Sequence, residues 1–303
     1  MSKYVPDIMS RRWVIISSQR LGRPDNKKIK TALSPAGCPF CPGNEKKTTP
    51  EVLRYGKGEP NTPGWLVRVI PNKFPITDFH EVFIHTPSCN KELEVLPLKH
   101  LELIFKAYRE RYNFYRKKGQ VMIFCNHREH AGASLRHSHS QLVVLPFQIN
   151  LDTLTREPLN NIVQENKDFI VYCPDFSQWP YEIWITPKLT SAKAATDEEK
   201  KVFGDINDKE IEDLVEIFQK TIKRLEKIYK SHYISEIPFS YNFYIYPKEN
   251  WYLRIIPRFV YRAGFELGTG LSVNIVDPYT ASLQFKREEE KMKKVLHKLK
   301  KLT

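Results

Sequence analysis

The sequence predicts an α+β fold of two similar half-domains, each an antiparallel sheet with a long packed helix. Two observations carry this. One order of elements occurs twice along the chain: a strand ending near proline, a long helix, a strand, and a second strand ending at proline. The helices show apolar residues at a 3.6-residue period, while the strands are rich in Val, Ile, Phe, Tyr and Trp. At 303 residues, 41% of them hydrophobic, the chain is long enough to bury a core of this size.

The elements follow in order. Trp13 to Ile16 reads as a short strand that leads into a loop bearing Arg20 and Arg23. AGCPFCPGNE forms a tight Cys-Pro-Phe-Cys knuckle, and a Gly- and Pro-rich loop follows it. Leu66 to Ile70 is a strand by its β-branched content. The first copy of the repeat is HEVFIHTP, LPLKHLELIFKAYRERYNFYRKKG, VMIFCN and SQLVVLP. The second is YEIWITPK, DKEIEDLVEIFQKTIKRLEKIYKSH, SYNFYIYP and WYLRIIP. In the second helix Ile211, Leu214, Val215, Ile217, Phe218, Ile222 and Leu225 keep the apolar stripe. The repeat is too long for a solenoid unit, so the halves are expected to pack about a pseudo-two-fold axis. The boundary is expected in the polar stretch 150–167. Residues 1–158 would form the catalytic half-domain with the knuckle and His-x-His. Residues 159–303 would form the half with the Gly-rich loop AGFELGTG. Lys286 to Lys301 reads as an exposed, charge-laced helix.

A net charge of +13 points to an acidic partner: nucleic acid, nucleotide, sugar phosphate or acidic membrane. No recognised nucleic-acid motif is present, so a zinc-stabilised, basic nucleic-acid-binding protein is the rival from another class rather than the expectation. No apolar run approaches the roughly 20 residues that span a bilayer, and no membrane partner is expected. The first residues lack an apolar signal region, so the cytoplasm is the expected location. The five cysteines are an odd number, which argues against a disulfide framework and leaves Cys-x-x-Cys to metal or redox chemistry.

Cys38-Pro-Phe-Cys41 has the spacing of two zinc thiolates on a tight turn. A thioredoxin-like pair would need a strand before it and a helix after it, and loops flank it here. Further ligands would come from His137, Cys89, His80, His85 and His130. The stretch AGASLRHSHSQLVVLP carries the other chemistry. In an extended strand residues 137, 139 and 141 share one face, and Ser138 and Ser140 the other. Semi-buried structural histidines and a metal pair are two readings. The preferred one divides the labour: one histidine holds zinc and the other attacks phosphorus. An imidazole with a pKa of about 6.5 is a competent nucleophile near neutrality once its other nitrogen is held. Gln141 offers an amide, and Gly132 and Ser134 offer backbone and hydroxyl donors, to phosphoryl oxygens.

GASLRHSHSQ, together with CPFC, HEVFIHTPSCNKEL and AGFELGTGLSVN, resembles the galactose-1-phosphate uridylyltransferase family. That family belongs to the histidine-triad superfamily and includes a branch of phosphorylases acting on ADP-glucose. The resemblance runs from RRWVIISSQRLGRP to GTGLSVN. It implies two histidine-triad-like half-domains and a homodimer. It implies that His139 attacks the α-phosphate of a nucleotide sugar, forms a covalent nucleotidyl-histidine and releases hexose 1-phosphate. UMP moving from UDP-hexose to a hexose 1-phosphate, as in galactose metabolism, is the first expectation. Cleavage of ADP-glucose, or of a dinucleoside polyphosphate, with inorganic phosphate as acceptor is the alternative.

By the same resemblance Gln141 stabilises the transferring phosphate, and Asn126 and Ser134 lie along the phosphates. Arg20 and Arg23 match an RxxRP loop near nucleotide or phosphate, and Asn72 and Phe74 line the nucleoside pocket. Gly264, Phe265 and Glu266 bind the sugar. The zinc ligands would be Cys38, Cys41, Cys89 and His137, with Cys89 where the family usually has histidine. Four protein ligands make one structural zinc per chain, with no organic cofactor. Arg128 stands at a glycine place and Arg136 before His137, and both are expected to reach phosphate or acceptor. NWYLRIIP lacks the histidines by which some members bind a second metal, so that site is expected to be absent.

Overall fold

The two repeats build one ten-stranded antiparallel sheet. The computed structural model describes residues 2–7, 12–18, 20, 37–151, 154, 158–188, 202–232 and 237–300. Arg23 lies outside them. The strands are β1 (Lys3–Asp7), β2 (Arg12–Ile16), β3 (Leu53–Gly56), β4 (Trp65–Pro71), β5 (His80–Ile84), β6 (Gln120–His127), β7 (His139–Leu145), β8 (Ile162–Glu165), β9 (Phe169–Tyr172), β10 (Ile183–Pro187), β11 (Tyr241–Ile245) and β12 (Leu253–Pro257). The helices are α1 (Leu98–Tyr115), α2 (Asp208–His232), α3 (Gly264–Thr269) and α4 (Pro278–Lys300). β1 and β2 form a separate hairpin.

The order in the large sheet is β3-β4-β5-β7-β6-β11-β12-β10-β9-β8. It reads alike from either edge: β5, β7 and β6 of the first copy answer to β10, β12 and β11 of the second. The halves join where β6 runs antiparallel to β11, with Asn126 opposite Asn242. The Asn242 amide donates to the Asn126 carbonyl at 2.8 Å across this seam. The strands expected in each copy are present. β3, β8 and β9 were not foreseen; they extend each half to five strands. β8 lies inside the polar stretch expected to be a boundary, because its alternation is too short to read against polar neighbours. The sheet crosses from one half to the other without a break.

α1 and α2 lie against each other on one face of the sheet, with Phe105 and Phe218 ring centroids 5.5 Å apart. All seven residues of the apolar stripe in α2 are buried. They share one core with Leu142, Val144, Phe83, Ile123, Leu253 and Ile255 from the sheet. Side chains alternate across each strand, so residues 82, 84, 139 and 141 are left to the opposite face. That face carries the site. AGFELGTG is a six-residue helix rather than an open loop. Glu266 accepts from the Ala263 N–H at 3.0 Å, and Gly270, at φ +73°, ends the helix. Gly264 and Gly268 have nothing close to where a Cβ would stand, so close backbone approach does not explain them. The C-terminal helix begins at Pro278, earlier than expected.

A buried ion pair fastens α1 to the sheet. Arg111 donates through Nε and Nη2 to the two carboxylate oxygens of buried Glu81, at 2.9 and 2.6 Å, and the Tyr115 hydroxyl adds a bond at 2.8 Å. Removing the cation would strand a buried carboxylate. Arg111→Ala is therefore expected to lower unfolding stability by about 3–5 kcal/mol in urea denaturation.

Candidate active site and metal centre

The site begins with the knuckle. The Cys41 N–H donates to the Cys38 carbonyl at 3.3 Å, and the Asn44 amide to the same carbonyl at 2.8 Å, which closes a tight turn. His137, in the segment leading into β7, presents Nδ1 to both sulfurs, at 3.5 Å from Cys38 Sγ and 3.7 Å from Cys41 Sγ. Its Nε2–H donates to the Thr86 carbonyl at 2.6 Å, so the lone pair on Nδ1 faces the thiols. All three residues are buried, and the group can hold a metal ion. The spacing suits it: tetrahedral Zn–S of about 2.3 Å and Zn–N of about 2.0 Å place S and N about 3.5 Å apart. Cys89 packs against this cluster and its thiol bears on Cys41. The other expected candidates are placed elsewhere. His80 bonds Gln141, His85 bonds Ser138, Ser140 and Tyr108, and His130 bonds Tyr261.

Burial raises the Cys38 thiol, and burial with its neighbours Cys38 and Cys89 pushes Cys41 up to about 12. Burial also lowers His137, which keeps the imidazole neutral. A neutral Nδ1 and two thiols able to yield protons to a cation are the donor set of a soft metal site.

His139 opens β7 two residues further on. Its Nδ1–H donates to the His137 carbonyl at 2.8 Å, so its basic nitrogen is Nε2. His139 and Gln141 line a cavity of about 260 Å3. Its walls include Pro39 and Phe40 of the knuckle, Ser134, Arg20, Lys47, Lys73, and Asn72 and Phe74 of the NKFP loop. Phe40 sits edge-on to His139, with ring centroids 5.5 Å apart. Arg20 Nη1 donates to the Phe74 carbonyl at 3.0 Å and the Phe74 N–H to Asn72 Oδ1 at 2.8 Å, which sets the loop as a wall. Ser138 and Ser140 face the helices, where His85 joins both hydroxyls. Burial holds His85 well below its ordinary range, as a neutral strut behind β7.

Six of the expected site residues thus converge on one cavity: Arg20, Asn72, Phe74, Ser134, His139 and Gln141. Asn126 does not line it; its side chain is engaged at the seam with Asn242. Gly264, Phe265 and Glu266 sit on exposed α3 and are not among its lining residues. Arg128 corrects an expectation. It adopts φ +68°, ψ 173°, a conformation that suits the glycine it replaces. Its guanidinium faces Glu92 and Glu94 at 3.7 and 3.8 Å instead of the cavity. The lysines Lys47 and Lys73 were missed. Nothing in their local sequence marks them, since lysines in loops are common.

Residues 19–147 match the N-terminal domain of a family described as a domain of unknown function, DUF4931. The chain is 28% identical to the ADP-glucose phosphorylase of Arabidopsis thaliana, over 90% of this chain and 89% of that protein. It is 23% identical to the galactose-1-phosphate uridylyltransferase of Thermotoga maritima, over 93% and 96%. The chain is thus similar to members of the galactose-1-phosphate uridylyltransferase family, its ADP-glucose phosphorylase branch included. The crystal structure of the Arabidopsis ADP-glucose phosphorylase with bound ADP-glucose shares the fold, with a TM-score of 0.67 and 24% identity over 94% of this chain and 99% of that one. Among the described residues no helix is long and apolar enough to cross a membrane.

The metal centre makes a directional prediction. Both thiols are protonated at neutral pH without a metal, because burial raises them. A cation must displace those protons, so its affinity will rise as pH rises through neutrality. A Co2+ titration is expected to give a thiolate charge-transfer band that strengthens from pH 6 to pH 8. Cys38→Ser should weaken it by tenfold or more in metal affinity. A band that Cys38→Ser leaves intact would contradict the site.

Proposed function

We propose that this chain transfers a nucleoside monophosphate from a nucleotide sugar to a phosphate-bearing acceptor through a covalent nucleotidyl-His139. The observation that carries this is the committed tautomer of His139. With its Nδ1 proton engaged by the His137 carbonyl, Nε2 carries the lone pair in a cavity that also holds Gln141, Ser134 and three cations. Nε2 attacks the α-phosphorus. The bond from that phosphorus to the bridging oxygen breaks, and hexose 1-phosphate leaves with the electron pair. The bond to the His137 carbonyl steadies the positive ring that results. An acceptor phosphate oxygen then attacks the same phosphorus and returns the lone pair to Nε2. Two in-line displacements replace one. The Gln141 amide donates to the oxygens on which charge develops.

The donor is read as ADP-glucose and the acceptor as inorganic phosphate, giving ADP and glucose 1-phosphate. The 28% identity to the Arabidopsis enzyme supports this order. The similarity to the Thermotoga enzyme supports the second reading, UMP transfer from UDP-glucose to a hexose 1-phosphate. Zinc on Cys38, Cys41, Cys89 and His137 would be structural, tying the knuckle to β7. Phe265, Leu267, Leu271 and Ile275, all exposed, support a homodimer in which the α3 segment, with Glu266, meets a second copy.

Intact-mass measurement after incubation with each donor, without acceptor, tests the reading. An AMP-sized adduct on His139 is expected with ADP-glucose; a UMP-sized adduct selects the second reading. His139→Gly should form none while remaining folded. Gln141→Ala should slow adduct formation by about 10²- to 10³-fold. No adduct with either donor would refute covalent transfer.

A further inference from the structure

Gln141 can help a phosphate only if its amide points the right way. A carbonyl oxygen toward the substrate would repel phosphoryl oxygens, whereas an NH2 donates to them. The two orientations have nearly the same shape, so packing alone selects weakly between them. Something must fix the amide.

His80, at the start of β5, supplies that constraint. It is only 4% exposed. The Ile76 backbone N–H lies 2.9 Å from His80 Nδ1. A backbone N–H can only donate, so Nδ1 must accept, and the ring proton is on Nε2. His80 Nε2 lies 2.9 Å from Gln141 Oε1 and donates to it. The Asn72 amide acts in the same sense. Its Oδ1 accepts from the Phe74 N–H at 2.8 Å, which turns Nδ2 toward Gln141 Oε1 at 3.5 Å. The two donors lie side by side, 3.1 Å apart. Were Gln141 flipped, its NH2 would meet two donors.

We infer that His80 is a positioning residue that locks the Gln141 amide with its N–H groups toward the transferring phosphate. The inference rests on the reading of His139 and Gln141 given above. The chain of bonds has one direction: the Ile76 N–H sets the His80 tautomer, His80 sets the sense of Gln141, and Gln141 presents donors to the cavity. It also couples chemistry to the nucleoside wall, because Ile76 belongs to the loop that carries Asn72 and Phe74. A histidine suits the post, since a neutral imidazole accepts at one end and donates at the other.

Single-turnover adduct formation, with whichever donor the wild type uses, tests this in a double-mutant cycle. His80→Leu is expected to slow adduct formation by about 10- to 100-fold, less than the roughly 10²- to 10³-fold loss on deleting a transition-state donor. Half-saturating donor concentration should stay within about twofold. His80→Gln, which keeps a donor near Nε2, should recover most of the rate. In a Gln141→Ala background His80→Leu should add nothing, because its action passes through Gln141. An equal loss in both backgrounds, or no loss in His80→Leu, overturns the inference. A wild type that forms no adduct overturns the reading of the site and this inference with it. If His80→Leu does not fold, the 15N spectrum of the wild type decides. A proton on His80 Nε2 supports the lock, and a proton on Nδ1 refutes it.

Discussion

His137 is the residue on which the site depends. Its ring is held at both nitrogens, Nε2–H by the Thr86 carbonyl and Nδ1 by the two knuckle thiols. Its backbone carbonyl in turn accepts from His139 Nδ1. A ring fixed at both ends fixes the backbone it hangs from, and that backbone chooses the tautomer of the next histidine. The knuckle also brings Pro39 and Phe40 to the cavity wall. The metal-type cluster and the orientation of His139 are therefore one construction. Loss of order in the knuckle would disturb both the direction of the His139 lone pair and the Phe40 wall of the cavity.

The two halves of the sheet show how one architecture yields one cavity. On the face opposite the helices, the first half leaves space beside His139 and Gln141. The corresponding face of the second half is filled. Arg254 in β12 donates through Nε and Nη2 to buried Glu182, at 2.7 and 2.9 Å. Trp184 and Tyr252 stack beside it with centroids 3.9 Å apart, and Tyr246 stacks on Tyr252. Aromatic rings and a paired charge fill the face that the cavity opens in the other half. The second half then serves as a platform, joined through the β6–β11 seam, and carries α3 at its exposed surface.

Much of this was legible in the sequence because period and spacing are local properties. The α2 stripe and the Val- and Ile-rich strands each read correctly within a few residues of text, and Cys-x-x-Cys pointed to a group that can hold a metal ion. Alternation along β7 was enough to separate His139 and Gln141 from Ser138 and Ser140. What stayed hidden depends on distant partners. β3, β8 and β9 are short strands whose identity comes from pairing rather than composition. AGFELGTG looked like a loop by its glycines, yet the Glu266 cap and the Gly270 terminus make it helical. Arg128 looked like a phosphate contact by its charge, yet Glu92 and Glu94 claim it. His80 entered as a metal candidate, because a histidine's tautomer is invisible until the Ile76 N–H is placed against it.

The bond to phosphorus is expected on one particular atom. With His139 Nδ1–H engaged by a backbone carbonyl, Nε2 alone can form the phosphoramidate. The direct measurement is 31P–15N coupling in the trapped nucleotidyl-enzyme prepared with ring-15N histidine. A coupled phosphorus on Nε2 of His139, with Nδ1 still protonated, is the predicted result. Attachment through Nδ1, or through any residue other than His139, would contradict it.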